Sequence, residues 1–127
     1  MRRRDGAGMK ILLVENHREF TSVVIPAFLS EHDVTVVPSC SAARAALSGG
    51  GFEAVLVDFD LDDGKGDTLV RWMSSQAGPP VVAISSHDAG NDALARAGAA
   101  VACPKAQFDQ IAAVLARLPG RQERGGA

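Results

Sequence analysis

Four short apolar runs in this 127-residue chain each lead into a polar group suited to metal or phosphorus chemistry. Asp58 ends the run Ala54 to Val57 and opens an acidic, glycine-bearing stretch that reaches Gly66. Ile11 to Val14 precedes Glu15 and Asn16, Val81 to Ile84 precedes Ser85 and Ser86, and the run from Ala99 to Cys103 is followed two residues later by Lys105. Carboxylates brought together raise each other's pKa unless a cation shares them. Mg2+ is the natural candidate, because it takes hard oxygen ligands, commonly one or two carboxylates with waters and a phosphate oxygen. Glu15 and Asp58 provide carboxylates, Asn16 an amide oxygen, and the backbone near Asp60 a further oxygen. Lys105 adds a positive charge and Ser85 a hydroxyl donor. An aspartate in that company can attack phosphorus and form an acyl phosphate, with metal and ammonium offsetting the charge.

The order of elements is what would gather these residues. Lys10 to Val14 reads as a first strand, followed by a helix whose apolar positions Phe20, Val23, Val24, Ala27 and Phe28 recur at spacings of three and four. Pro26 removes one helical hydrogen bond, at a cost of about 3 kcal/mol or more in a helix interior, so a kink or early break is expected there. Val34 to Val37 forms a second strand. Ser39 or Ser41 caps a short helix from Ala42 to Leu47, which Gly49, Gly50 and Gly51 end. Glu53 to Val57 is the third strand, and Asp67 is placed to cap a helix that buries Leu69, Val70, Trp72 and Met73. Gly78, Pro79 and Pro80 stop it before the fourth strand. An Ala-rich helix runs from Asp88 to Gly98, a short fifth strand follows, and Phe108, Ile111, Val114, Leu115 and Leu118 share one face of the last helix. Five strands alternating with five helices predict a doubly wound α/β (βα)5 domain with a parallel five-stranded, flavodoxin-like sheet of order 2-1-3-4-5. Its crevice opens between strands 1 and 3, beside Glu15, Asn16 and Asp58, and position 58 is expected within reach of solvent.

Composition narrows the alternatives. The length suits one domain, expected over residues 9 to 118, with flexible tails at 1 to 8 and 119 to 127. Lys and Arg number 13 against 15 Asp and Glu, a net charge of −2 that lacks the basic field of a nucleic-acid-binding domain. No apolar stretch follows Arg2 to Arg4 to make a signal peptide, and none is long enough to cross a membrane, so a cytoplasmic protein without membrane association is expected. Cys40 and Cys103 read as small buried hydrophobes. Counted from Asp58, the sixth and twelfth positions are Asp63 and Leu69 where a calcium loop needs Gly and Glu. Asp58 and Asp60 share the Asp-x-Asp spacing of aspartyl phosphatases, but in those enzymes the motif follows the first strand. His17, His32 and His87 have no metal-ligand spacing. His17 and His32 are expected on the surface, and His87, two residues beyond Ser85, borders the site or lies in solvent.

The segments Ile11 to His17, Ala54 to Gly66, Val81 to Ser86 and Gly98 to Lys105 together resemble the receiver domain of two-component response regulators, in order and over residues 10 to 118. The resemblance implies that Asp58 is the phosphoacceptor, that Glu15 and Asn16 form the metal-binding pair, that Ser85 is the hydroxyl switch residue and that Lys105 contacts the phosphoryl group. It implies Mg2+ as cofactor, a sensor histidine kinase or phosphotransfer protein as donor, and a signalling role rather than an enzymatic one. With no DNA-binding segment after Leu118, output is expected through a downstream protein partner, from a monomer or weak dimer. Asn16 stands where receivers usually carry Asp, so Mg2+ is expected to bind more weakly. Ala102 replaces the usual Tyr or Phe three residues before the lysine, and Ala106 and Asp62 replace prolines common in the family. Asn16 and Ala102 support a second reading, a pseudo-receiver that binds partners without phosphorylation.

Overall fold

Successive side chains of a strand point to opposite faces, yet Ile11, Leu12, Leu13 and Val14 are all buried. Such a strand belongs inside a sheet covered on both sides. In the computed structural model, which describes residues 8 to 119, it lies there. β1 (Lys10–Val14), β2 (Asp33–Val37), β3 (Ala54–Val57), β4 (Val81–Ala83) and β5 (Val101–Ala102) form one parallel sheet in the order 2-1-3-4-5. Ile11, Leu13, Ala54, Leu56, Val82 and Ile84 pack against α1 (Arg18–Phe28) and α5 (Ile111–Ala116). Leu12, Val14, Val55, Val57 and Ala83 pack against α2 (Cys40–Ser48), α3 (Gly66–Ser75) and α4 (Asp88–Ala97). A 3-10 turn over Lys105–Gln110 leads into α5. Cys40 and Cys103 are buried and unpaired with each other, as small hydrophobes. The tails expected at 1 to 8 and 119 to 127 lie outside the described residues except for Gly8, which is buried, and Pro119.

Several local expectations are corrected. α1 continues past Pro26 to Phe28 without breaking. The proline sits in the last turn on an exposed face, where the carbonyl it leaves unbonded is open to water, and Leu29 N–H closes the helix on Ile25 at 2.9 Å. The buried stripe of α1 also runs through Thr21, Val24 and Leu29, while Val23 is 62% exposed and Phe28 38%. Asp67 does not cap α3. The helix starts one residue earlier at Gly66, and Asp67 pairs with Arg71 one turn on, at 3.1 Å. β2 lies at the sheet edge, as the expected strand order implies, and leaves Val36 41% exposed. The His32 side chain is enclosed instead of exposed, its Nδ1 accepting a 3.0 Å bond from Met9 N–H.

The acidic, glycine-bearing stretch after Asp58 contains a two-stranded hairpin, Asp60–Leu61 paired with Gly64–Lys65. Two contacts dock it. The Asp63 carboxylate accepts from Cys40 N–H at 2.7 Å and Ser41 N–H at 3.0 Å, joining Ser39 Oγ in capping α2. Gly66 N–H donates to Phe59 O, and the glycine lies so close to the chain that an added Cβ would stand 2.1 Å from the Asp58 carbonyl oxygen. Only a residue without Cβ lets α3 begin there.

Gly66→Ala is therefore expected to lose about 1–3 kcal/mol or more by overpacking, read as a lower urea midpoint. The amide bonds to Asp63 hold its carboxyl below the usual range. A depressed native pKa contributes stability above the unfolded value and loses it as pH falls through the native one. Asp63→Ala should lower the urea midpoint at pH 7, and the gap between wild type and variant should close in strong acid. A gap that persists there would mean that the carboxylate is not the cap.

Candidate functional site

Register decides which residues meet. Val14, Val57, Ala83 and Ala102 form one row across the sheet. The next residue of each strand extends the ladder: Asp58 N–H donates to Val14 O, Ile84 N–H to Val57 O and Cys103 N–H to Ala83 O. Glu15 and Asp58 therefore leave β1 and β3 side by side, at the crevice where crossovers diverge. Ser85 leaves β4 next to them, and Lys105 follows β5.

Three of the residues singled out from sequence converge. Lys105 Nζ lies 3.0 Å from Glu15 Oε1 and 3.4 Å from Asp58 Oδ2. Its ammonium also stands over the Phe20 ring, 4.8 Å from the centroid, and Phe20 packs edge-on against Phe108 at 5.2 Å. Asp58 is more enclosed than expected, with a side chain only 6% exposed, and Glu15 is fully enclosed. Asn16 stands at the rim, its Nδ2 donating to Asp62 Oδ1 at 2.9 Å while its Oδ1 is buried without a hydrogen bond. The Asp60 carboxylate lies apart, ion-paired with Lys65 on the hairpin, which leaves the backbone of that segment as the donor expected from it. Ser85 Oγ accepts from His87 N–H at 3.1 Å and does not bond the acids, and exposed His87 sits at the start of α4.

Two participants escaped sequence reading. His17 is 61% exposed, as expected, yet its Nδ1 lies 2.7 Å from Glu15 Oε2, 3.4 Å from Lys105 Nζ and 3.8 Å from Asp58 Oδ2. Its place two residues after Glu15 was the available signal. Asn91 is buried, and its amide accepts from Ser85 N–H at 2.9 Å and donates to Ser85 O at 3.0 Å. Gly90 makes room for this staple, because a Cβ there would stand 2.4 Å from Ser85 Oγ. A groove of about 500 Å3 lined by Met73, Pro79, Pro80 and Pro119 opens at the other end of the sheet and has no titratable lining. The titratable groups converge at the acidic end.

The donor set fits a hard divalent cation. It offers two enclosed carboxylates and an amide oxygen, Asn16 Oδ1, that nothing in the fold satisfies. Without such an ion, burial and then the Glu15 charge push the Asp58 carboxyl up, and Lys105 pulls it part of the way back. A native pKa above the unfolded one favours the fold at low pH and loses that advantage as pH rises through the native value. With divalent ions chelated, Asp58→Asn should raise the urea midpoint at pH 7, and the gain should shrink as pH falls into the carboxyl range. A variant that gains nothing at pH 7 would show that Lys105 alone balances the two acids.

No protein-family profile matches the chain. Over 82 residues, 63% of its length, it is 30% identical to the swarming motility regulation protein RssB of Serratia marcescens, and it spans 37% of that protein. It is 28% identical to the BeF3-activated N-terminal receiver domain of Klebsiella pneumoniae RstA, with a TM-score of 0.70 over 85% of this chain and 93% of that one. The CheY-like receiver domain from Methylobacillus flagellatus shares the fold at 19% identity and a TM-score of 0.68, covering 84% of this chain and 98% of the other. The Mn(2+)-bound response regulator Rcp1 also shares it, at 18% identity and a TM-score of 0.68, over 88% and 96% of the two chains. Strand order, motif order and these likenesses agree: the chain has the fold of the receiver domains of two-component response regulators and is similar to one of them in sequence.

Proposed function

We propose that Asp58 accepts a phosphoryl group and that the chain then changes its affinity for a protein partner. The observation that carries this reading is the enclosure of Asp58 between Glu15 and Lys105, with Lys105 Nζ 3.4 Å from Asp58 Oδ2 and 3.0 Å from Glu15 Oε1. An ionised Asp58 oxygen attacks phosphorus, forming a C–O–P linkage while the bond from phosphorus to the donor breaks. The departing group keeps the electron pair and takes up a proton. A phosphohistidine of a sensor kinase or phosphotransfer protein suits this step, because its leaving group is a neutral imidazole.

Each neighbour has a task in that step. Lys105 stays close enough to bond a transferred oxygen, and the Ser85 hydroxyl, at the next strand end, donates to another. Mg2+ bound by Glu15, Asp58, Asn16 and the backbone near Asp60 would neutralise charge that accumulates on the phosphoryl oxygens. His17 must swing aside for a donor to reach Asp58, which an exposed side chain does on the picosecond to nanosecond scale. Among the described residues no helix is long and apolar enough to cross a membrane, which is compatible with a place in the cytoplasm beside a kinase's inner domain.

Intact mass spectrometry after incubation with a small phosphodonor and Mg2+ tests the proposal. One added phosphoryl group is expected on the wild type and none on Asp58→Asn, with Lys105→Ala slowing the gain by roughly 10²-fold. Absence of any gain with every divalent ion would overturn the phosphoacceptor role and leave a binding module of the same fold.

A further inference from the structure

The imidazole of His17 is the one nitrogen donor that the fold adds to the acidic cluster among the described residues. His17 Nδ1, Glu15 Oε2 and Asp58 Oδ2 offer one ligand atom each, all within 4.8 Å of one another. Bonds of about 2.0–2.2 Å to a shared ion put neighbouring ligand atoms roughly 2.8–3.6 Å apart. The observed 2.7 Å and 3.8 Å separations from His17 to the two acids lie just either side of that range. Glu15 is fully enclosed, and its second oxygen, Oε1, accepts no hydrogen bond, having only the Lys105 ammonium at 3.0 Å. Asn16, where a third carboxylate would have completed an all-oxygen set, turns its amide nitrogen to Asp62.

Imidazole is a poor ligand for Mg2+ and a good one for zinc and its neighbours, whereas carboxylates serve both. We infer that His17 is a metal ligand and that the pocket prefers Zn2+ or a similar borderline divalent ion to Mg2+, held by His17, Glu15 and Asp58. Three protein ligands leave a fourth position open, the arrangement that admits water or an anionic oxygen. The inference rests on the phosphoacceptor reading of the same acids, since the open position is where a phosphoryl oxygen would bind. Lys105 Nζ lies 3.4 Å from His17 Nδ1 and from Asp58 Oδ2, and 3.0 Å from Glu15 Oε1, the oxygen of that carboxylate left outside the three ligand atoms, so it can keep its pairing there when an ion enters. The His17 backbone N–H, which bonds Glu15 Oε2 at 3.1 Å, keeps that carboxylate oriented whether or not the ring is ligating.

Calorimetric titration of the full chain with Zn2+ and, separately, with Mg2+ decides the matter, using wild type, His17→Ala and Asp58→Asn, with circular dichroism confirming the fold of each. One Zn2+ per chain is expected, weakened at least about tenfold by either substitution, while Mg2+ affinity is the same in His17→Ala as in wild type. Co2+ should give visible absorption bands of low coordination number in the wild type that His17→Ala removes. Equal Zn2+ affinity in wild type and His17→Ala, Zn2+ binding that survives Asp58→Asn, or a parallel loss of Mg2+ in His17→Ala would each overturn the inference. Phosphoryl gain with Mg2+ alongside His17-independent Zn2+ binding would remove this inference only. His17-dependent Zn2+ binding with no phosphoryl gain would remove the phosphoacceptor role only.

Discussion

Two carboxylates enclosed side by side cannot both stay ionised without a cation between them, and in this fold Lys105 is that cation. Its placement depends on distant parts of the chain. The Phe20 ring from α1 lies beneath the ammonium, Phe108 buttresses Phe20, and Lys105 N–H reaches back to Ser85 O at 3.4 Å. A buried ion pair adds little net stability but is costly to break one-sidedly, because the remaining charge stays enclosed. The acidic end of the sheet is accordingly held in a poised electrostatic state, with Asp58 kept from easy ionisation by burial and Glu15 and helped toward it by Lys105.

The rest of the architecture keeps this arrangement in register. A slip of one residue in β1 or β3 would send Glu15 or Asp58 to the opposite face and bury the wrong half of each strand, and strands apolar on both faces are protected from that only by their ladders and turns. The hairpin after Asp58 supplies one such lock. Asp63 bonds α2, Asp62 bonds the β2–α2 turn through Pro38 O, and Gly66 brings α3 against the Asp58 carbonyl. The acidity of this segment, which invites a metal-loop reading, is mostly spent on helix capping and pairing.

The sheet was legible because its strands are nearly continuous apolar runs separated by helical periods and glycine or proline stops, a pattern that fixes both strand number and parallel direction. Glu15, Asp58 and Lys105 were legible because each follows such a run. What remained hidden depended on three dimensions. The side of α1 that faces the sheet could not be chosen from a stripe that included Val23, Pro26 reads as a breaker unless its distance from the helix end is known, and His32 looks like a surface residue until Met9 N–H is seen to need an acceptor. His17 and Asn91 were missed for a related reason. Each meets a residue near it in sequence across a turn that carries no periodicity: His17 ends the β1–α1 turn, and Asn91, on α4, reaches back over the β4–α4 turn.

The Asn91 staple has a mechanical consequence. Because one amide bonds both the N–H and the carbonyl of Ser85, the two peptide units that flank this residue are tied to the opening turn of α4. With alanine and no ring at position 102, the Asn91 side chain is a direct link between the end of β4 and the helix that follows it.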